Sequence, residues 1–440
     1  KLTKKIPNSI IFWNLCGIAN INLNNFQMAE SNFTQACKID SSNPYIWANL
    51  ASSLNYQRKF NEALDAYKKG ITLKPDFHEA ICDAGEIFNK LNKPTDALSC
   101  FIKTIEINKN YIKAWMFIGH TIKYLKFTNP NLKIQNIILL LLDHKSLVRP
   151  SGIALCIVSL IISDKNIKDI IFSIQQKNSN ISFSKIIEVL SNQKLLIKLM
   201  SVCPLPSIEL ENILKKVRHT ILTYIDIIPN EFKILFFQSS LALQCFINEY
   251  IYEITDVEKE NVNKLEQIVE TYFLSGKQPK LSYIFCLASY KPLHSYLWSN
   301  LLKIPEEFID INKQMIKDKI EEQTISKKIQ TLVKISDCVS QKVRDQYEMN
   351  PYPKWELVDL PLKSYTINEL IRNCELKIFD RKIETITSPN ILIAGCGTGQ
   401  QSINTSRKFK NSKLLAIDLS LNSLSYAKRK TEEIGINNIE

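Results

Sequence analysis

The sequence predicts a mostly α-helical chain: an N-terminal helical solenoid, a helical middle region, then the opening of an α/β domain. Three observations carry this expectation. Trp13, Trp47, Ile81 and Trp115 recur at a step of 34 residues through the first third. A long stretch after them keeps apolar residues at helical spacing without any fixed period. Near the C-terminal end, the apolar run Ile391-Leu392-Ile393-Ala394 enters three alternate glycines, and a second apolar run beyond them ends on Asp418.

Composition sets the frame for these elements. With 440 residues, 45% hydrophobic and 23% charged, the chain is an ordinary globular one of two or three domains. Only 10 glycines argue against an all-β fold. The net charge of +12 suits an anionic partner, but the basic residues are spread evenly, with no block interleaved with aromatics. The clusters Lys1–Lys5 and Lys428-Arg429-Lys430 are short, which weighs against nucleic acid as the partner. Salt-dependent binding to RNA would test an RNA-modifying role. The 11 cysteines form no Cys-x-x-Cys pair and fall in apolar helical patterns, which suits a reducing, cytoplasmic setting. The five histidines are isolated, so no metal site is expected. The longest apolar run, Ile153–Ile162, is too short to span a bilayer, and no signal peptide is visible.

The solenoid is expected over residues 8–127. The 34-residue step that joins the bulky anchors also joins Gly17, Ala51, Gly85 and Gly119. It joins Ala29, Ala63 and Ala97 too, and then Phe33, Tyr67 and Phe101. Small residues let the two helices of a unit approach, and the aromatics are expected to fill the gap between neighbouring units. A fourth unit is degenerate, because Thr128-Asn129-Pro130 breaks the pattern. These markers resemble the tetratricopeptide repeat, a helix–turn–helix of this period. The resemblance implies a surface for a protein or peptide partner, the alternative being a stack that only braces the chain or mediates self-association.

Residues 128–338 are expected to form a helical middle region, broken at Pro204-Leu205-Pro206, Pro229-Asn230, Ser275-Gly276 and Pro305. Within it, the phrase Gln244–Tyr250 places Asn248 and Glu249 on an otherwise apolar helix, either as a buried hydrogen-bonded pair or as part of a contact surface. A connector follows over residues 339–387. Its Tyr347-Glu348-Met349-Asn350-Pro351-Tyr352-Pro353-Lys354-Trp355 should be stiff and extended, as a linker over an apolar patch or a wall beside a ligand pocket.

Residues 388–440 open the α/β domain. Strand, glycines, helix, strand and acid occur in the order of a doubly wound sheet that brings backbone against a nucleotide-like ligand. Gly395 and Asp418 are 23 positions apart, close to the roughly 20 of a ribose-binding acid. A nicotinamide or flavin site needs Gly-x-Gly-x-x-Gly, whereas Gln400 and Ser402 stand where its last glycine would be. Gly395-Cys396-Gly397-Thr398-Gly399 instead resembles the first motif of class I S-adenosylmethionine-dependent methyltransferases. With the repeats, the Gln244–Tyr250 phrase and the aromatic-proline segment, the chain is similar to bacterial-type tetratricopeptide proteins with a C-terminal methyltransferase domain.

The resemblance implies S-adenosyl-L-methionine as cofactor, held by Ala394, Gly395, Cys396, Gly397, Thr398, Gly399, Gln400, Asp418 and Leu419. Asp418 would accept hydrogen bonds from both ribose hydroxyls, Leu419 would pack on the adenine edge, and Cys396 would be a pocket wall. The catalytic residues are expected beyond Glu440, with the domain only begun and its two strands unstable or open alone. The implied activity is methyl transfer. The alternative is a protein-binding scaffold whose methyltransferase-like domain is non-catalytic or senses the ligand.

Overall fold

The computed structural model describes residues 6–175, 181–333, 336–349, 351–374 and 376–440; the basic cluster Lys1–Lys5 and Asn350 lie outside them. The chain is mostly helical and divides into two compact units, Lys1–Leu125 and Lys126–Glu440.

The first unit is a stack of antiparallel helix pairs: Ile10–Asn22 with Phe26–Ile39, Pro44–Tyr56 with Phe60–Leu73, and His78–Lys90 with Pro94–Ile107. One further helix, Ile112–Ile122, follows. Ala29, Ala63, Ala97, Phe33, Tyr67 and Phe101 are all buried. The aromatics do more than fill the gap between units. A Cβ placed on Gly17 would lie 2.5 Å from the Phe33 ring, and one on Gly85 2.6 Å from Phe101. Each ring therefore sits on the small residue of its own pair, where any side chain would collide. Phe101 also stacks on Phe117 of the next helix at 5.2 Å.

Two further periodic devices emerge only in three dimensions. The turn inside each pair places Asn24, Arg58 and Asn92, one repeat step apart, at φ of +60°, +61° and +56°. The indole N–H of Trp13, Trp47 and Trp115 donates to the carbonyl six residues before it, on Pro7, Ser41 and Lys109. Each Trp thus ties its helix to the turn that enters it.

In the second unit, helices from Leu132–Asp143 to Leu281–Ala288 pack around an apolar core that includes Ile157, Leu199, Phe237, Leu241 and Phe285. The phrase Gln244–Tyr250 departs from expectation. Its helix, Phe232–Ile247, stops before Asn248, and Glu249 and Tyr250 follow at φ of +60° and +56°. They form the turn that ends the helix rather than a polar pair on it.

The connector is likewise only partly extended, because Tyr347, Glu348 and Met349 close the helix Cys338–Met349. The C-terminal part holds two parallel strands, β1 (Asn390–Ala394) and β2 (Lys413–Ile417), in register from Asn390↔Lys413 to Ala394↔Ile417. The helix Gln400–Lys408 crosses between them. After the helix Leu421–Ile434 the chain returns beside β2, where Leu414 N–H donates to Asn438 O and Glu440 N–H to Leu414 O, both at 2.9 Å. Although its sequence is a continuous apolar run, only one face of β1 is covered: Ile393 is buried while Leu392 is 61% exposed.

Candidate functional site

The three alternate glycines form the turn between β1 and its crossover helix. Gly395, Gly397 and Gly399 have φ of +70°, +53° and +82°, in the left-handed region that glycine enters without a Cβ penalty. The turn is tied to β2, since the N–H groups of Gly395 and Cys396 both donate to Ile417 O, at 2.8 and 3.1 Å. It is tied to the acid as well. Gly397 N–H donates to Asp418 Oδ2 at 2.8 Å and Ser420 N–H to Asp418 Oδ1 at 2.9 Å. Each carboxylate oxygen keeps lone-pair capacity for a further donor.

The nine residues expected to hold the cofactor therefore gather at the ends of two adjacent strands, but they differ in role. A Cβ on Gly395 would meet nothing within 4 Å, so open space lies against the backbone there. Ala394 and Gly395 are exposed, Gln400 and Asp418 are half-buried, and Leu419 is 43% exposed beside the acid. Gly397 faces inward: a Cβ there would lie 3.5 Å from the main-chain oxygen of Tyr352. Gly399 is a packing residue, because its Cβ would fall 2.7 Å from that of Ala427 on the helix Leu421–Ile434. Thr398 is buried, with its hydroxyl donating to Pro353 O at 2.6 Å. Both positions thus pack against protein, Gly399 on Ala427 and Thr398 on Pro353. Burial, with the Asp418 charge behind it, pushes the Cys396 thiol up to about 12, which keeps it protonated and unreactive.

The aromatic-proline segment lies across this turn. Trp355 Nε1–H donates to Thr398 O at 3.1 Å, and Trp355 N–H to Tyr426 Oη at 3.0 Å. Trp355, Val358, Ile403, Tyr426 and Ile436 share one apolar cluster. Just upstream, the Glu348 carboxylate accepts from the N–H groups of Leu421 and Asn422 at 2.6 and 3.1 Å, capping the helix that follows Asp418. The composition of the segment marks it out in the sequence, but its partners do not show there. Glu348 and Leu421 are 73 positions apart, and nothing local in the sequence pairs them.

The first helices of successive repeats are laced by polar side chains. Asn49 Nδ2 donates to Asn14 Oδ1 at 2.9 Å, Lys90 Nζ to Asn55 Oδ1 at 3.0 Å, and Lys113 Nζ to Asp83 Oδ1 at 2.6 Å. Burial raises the Asp83 carboxyl above its ordinary range, and Lys113 opposes that rise. Among the described residues, no cluster of His, Cys, Asp or Glu is placed to hold a metal ion, and no helix is long and apolar enough to cross a membrane.

Comparison with known proteins places the repeat. Residues 44–77 match the tetratricopeptide repeat family. The human Protein O-mannosyl-transferase TMTC3 is 28% identical over 97 residues, which cover 22% of this chain and 10% of that protein. The mouse protein is 30% identical over 81 residues, 18% of this chain and 9% of its own length. This chain thus spans about a tenth of those curated relatives, within its repeat region. Among solved structures, MamA is 20% identical, with 27% of this chain and 70% of MamA covered at a TM-score of 0.27. YrrB, described as a TPR protein with an unusual peptide-binding site, is 14% identical, with 44% and 94% covered, also at 0.27. The N-terminal unit carries tetratricopeptide repeats.

Proposed function

We propose that this chain is an S-adenosylmethionine-dependent methyltransferase whose tetratricopeptide repeats recruit a protein or peptide partner. The observation that carries the reading is the glycine turn beside Asp418: Gly395 borders open space, and the carboxylate next to it retains free acceptor capacity. Those features fit a ligand that offers two ribose hydroxyls and needs close backbone approach. The bound cofactor would supply an electrophilic sulfonium methyl group. This chain's residues would hold and orient it, with Asp418 on the ribose, Leu419 beside the adenine and the Ala394–Gly395 backbone along the sugar. The polar side chains lacing the first helices of the repeats offer amides and charges to a partner's main chain.

One observation favours a second reading, a scaffold that senses the ligand without turnover. The Tyr352 carbonyl already lies against Gly397, which narrows the approach on that side. Calorimetric titration with S-adenosylmethionine tests the cofactor assignment. Asp418→Ala removes a charged acceptor worth about 1.5–3 kcal/mol per hydrogen bond, so affinity should fall at least about tenfold. Unchanged affinity would sink it.

A further inference from the structure

The strap Pro351–Glu356 has two sides. One lies on the glycine turn; the other, with Lys354 and Trp355, lines a cavity of about 270 Å³. Residues from both unusual sequence phrases meet there, because Phe246, Glu249 and Tyr250 form part of its wall. The cavity stands at the small end of ligand pockets, which start near roughly 300 Å³. Two backbone departures border it: the left-handed pair Glu249 and Tyr250, and a π-helical turn, Lys313–Lys317, that contributes Gln314. Such irregularities concentrate at functional sites.

The charges on the wall identify what would fit. Asp318 and Glu322 are taken by Arg429, at 3.0 Å each, and Lys319 lies 3.6 Å from Glu322. Glu356 pairs with Lys430 at 2.8 Å, and Glu348 caps a helix through main-chain N–H groups. His294 is tied to Met315 O at 3.0 Å, and burial lowers its pKa, so it is neutral at pH 7. Two ionic groups remain. Among the described residues, neither Lys354 nor Glu249 has a side-chain hydrogen bond or ion pair; Lys354 Nζ sits 4.9 Å from the Phe246 ring centre. Burial pulls the Lys354 ammonium below the usual lysine range; the Glu249 and Glu322 charges oppose that pull, and Lys319 adds to it. A half-buried cation and a half-buried anion on the wall of one cavity, neither paired with a protein group, match a ligand carrying both charges.

We infer that this cavity binds a small zwitterion of the α-amino-acid class, with its carboxylate on Lys354 and its ammonium on Glu249. The site is separate from the glycine turn and does not depend on the cofactor reading. The test is calorimetric titration of the whole chain with each standard L-amino acid. Matched carboxylic acids lacking the amine, and amines lacking the carboxylate, serve as probes of each charge. At least one amino acid should bind, and its two half-molecules should not. Lys354→Met and Glu249→Gln should each weaken binding at least about tenfold, while Lys354→Arg, which keeps the charge, holds it within a few-fold and controls for folding. Asp418→Ala should leave the affinity unchanged. The inference is overturned if no amino acid binds, if binding survives both charge-removing variants, or if Asp418→Ala abolishes it and so assigns it to the glycine turn.

Discussion

The repeat array and the strap–sheet region are held together by contacts of different reach. In the array the decisive pairs are near in sequence: Phe33 on Gly17, or Asn49 to Asn14 across 35 positions, and the same geometry returns in the next unit. In the second unit they are singular and distant. Trp355 reaches Thr398 across 43 positions, Arg149 reaches Asp359 across 210, and Lys145 reaches Glu433 across 288. A repeated local contact writes its period into the chain, whereas a solitary distant one leaves no echo.

The largest effect is expected at the strap. Trp355→Ala removes a buried indole and its hydrogen bond to Thr398, so it should cost about 3–5 kcal/mol in chemical denaturation. A cost near zero would make the segment a mere linker. In the array, Gly85→Val and Gly17→Val each force carbon into an aromatic ring, and overpacking of that kind costs roughly 1–3 kcal/mol. Similar losses at the two sites would support equivalence of the repeats; unequal ones would break it.

The third test uses pH. Burial acts to raise the Glu433 carboxyl, but Lys430, Lys313 and Lys145 outweigh it and hold it at about 2, against an ordinary 4.5. A depressed carboxyl contributes stability that is complete above the unfolded value and fades as pH falls through the folded one. Stability should therefore decline between about 4.5 and 2, and Glu433→Gln should flatten that part of the melting-temperature profile. An unchanged profile would remove Glu433 from the network. The smallest effect is a gain. Arg58 occupies a left-handed turn position where Asn24 and Asn92 stand in the flanking repeats, so Arg58→Asn should stabilise by up to about 1 kcal/mol. A loss in thermal melting would show that the three turns are not equivalent.

Much of the array was legible because its markers are spaced by the helix pair itself: a residue such as Phe101 must meet the same small neighbour in every unit. The turn positions Asn24, Arg58 and Asn92 share that step, yet their identities differ, and only backbone angles reveal them. The glycine turn was legible too, since a strand running into alternate glycines is a local pattern. The division of labour among those glycines was not. Gly395 faces open space and Gly399 packs on Ala427 because of where a distant helix comes to rest.

By itself, then, the sequence determined the helical period, the repeat step and the order strand, turn, helix, strand, acid. Each follows from spacing along a few turns of backbone. Tertiary structure alone decided that Glu348 caps the helix after Asp418, that Trp355 closes on Thr398, and that Glu249 and Lys354 share a cavity. Those outcomes depend on chain segments tens to hundreds of residues apart being brought together by burial, and burial is non-directional: it selects partners by shape in the folded state and leaves no spacing to read.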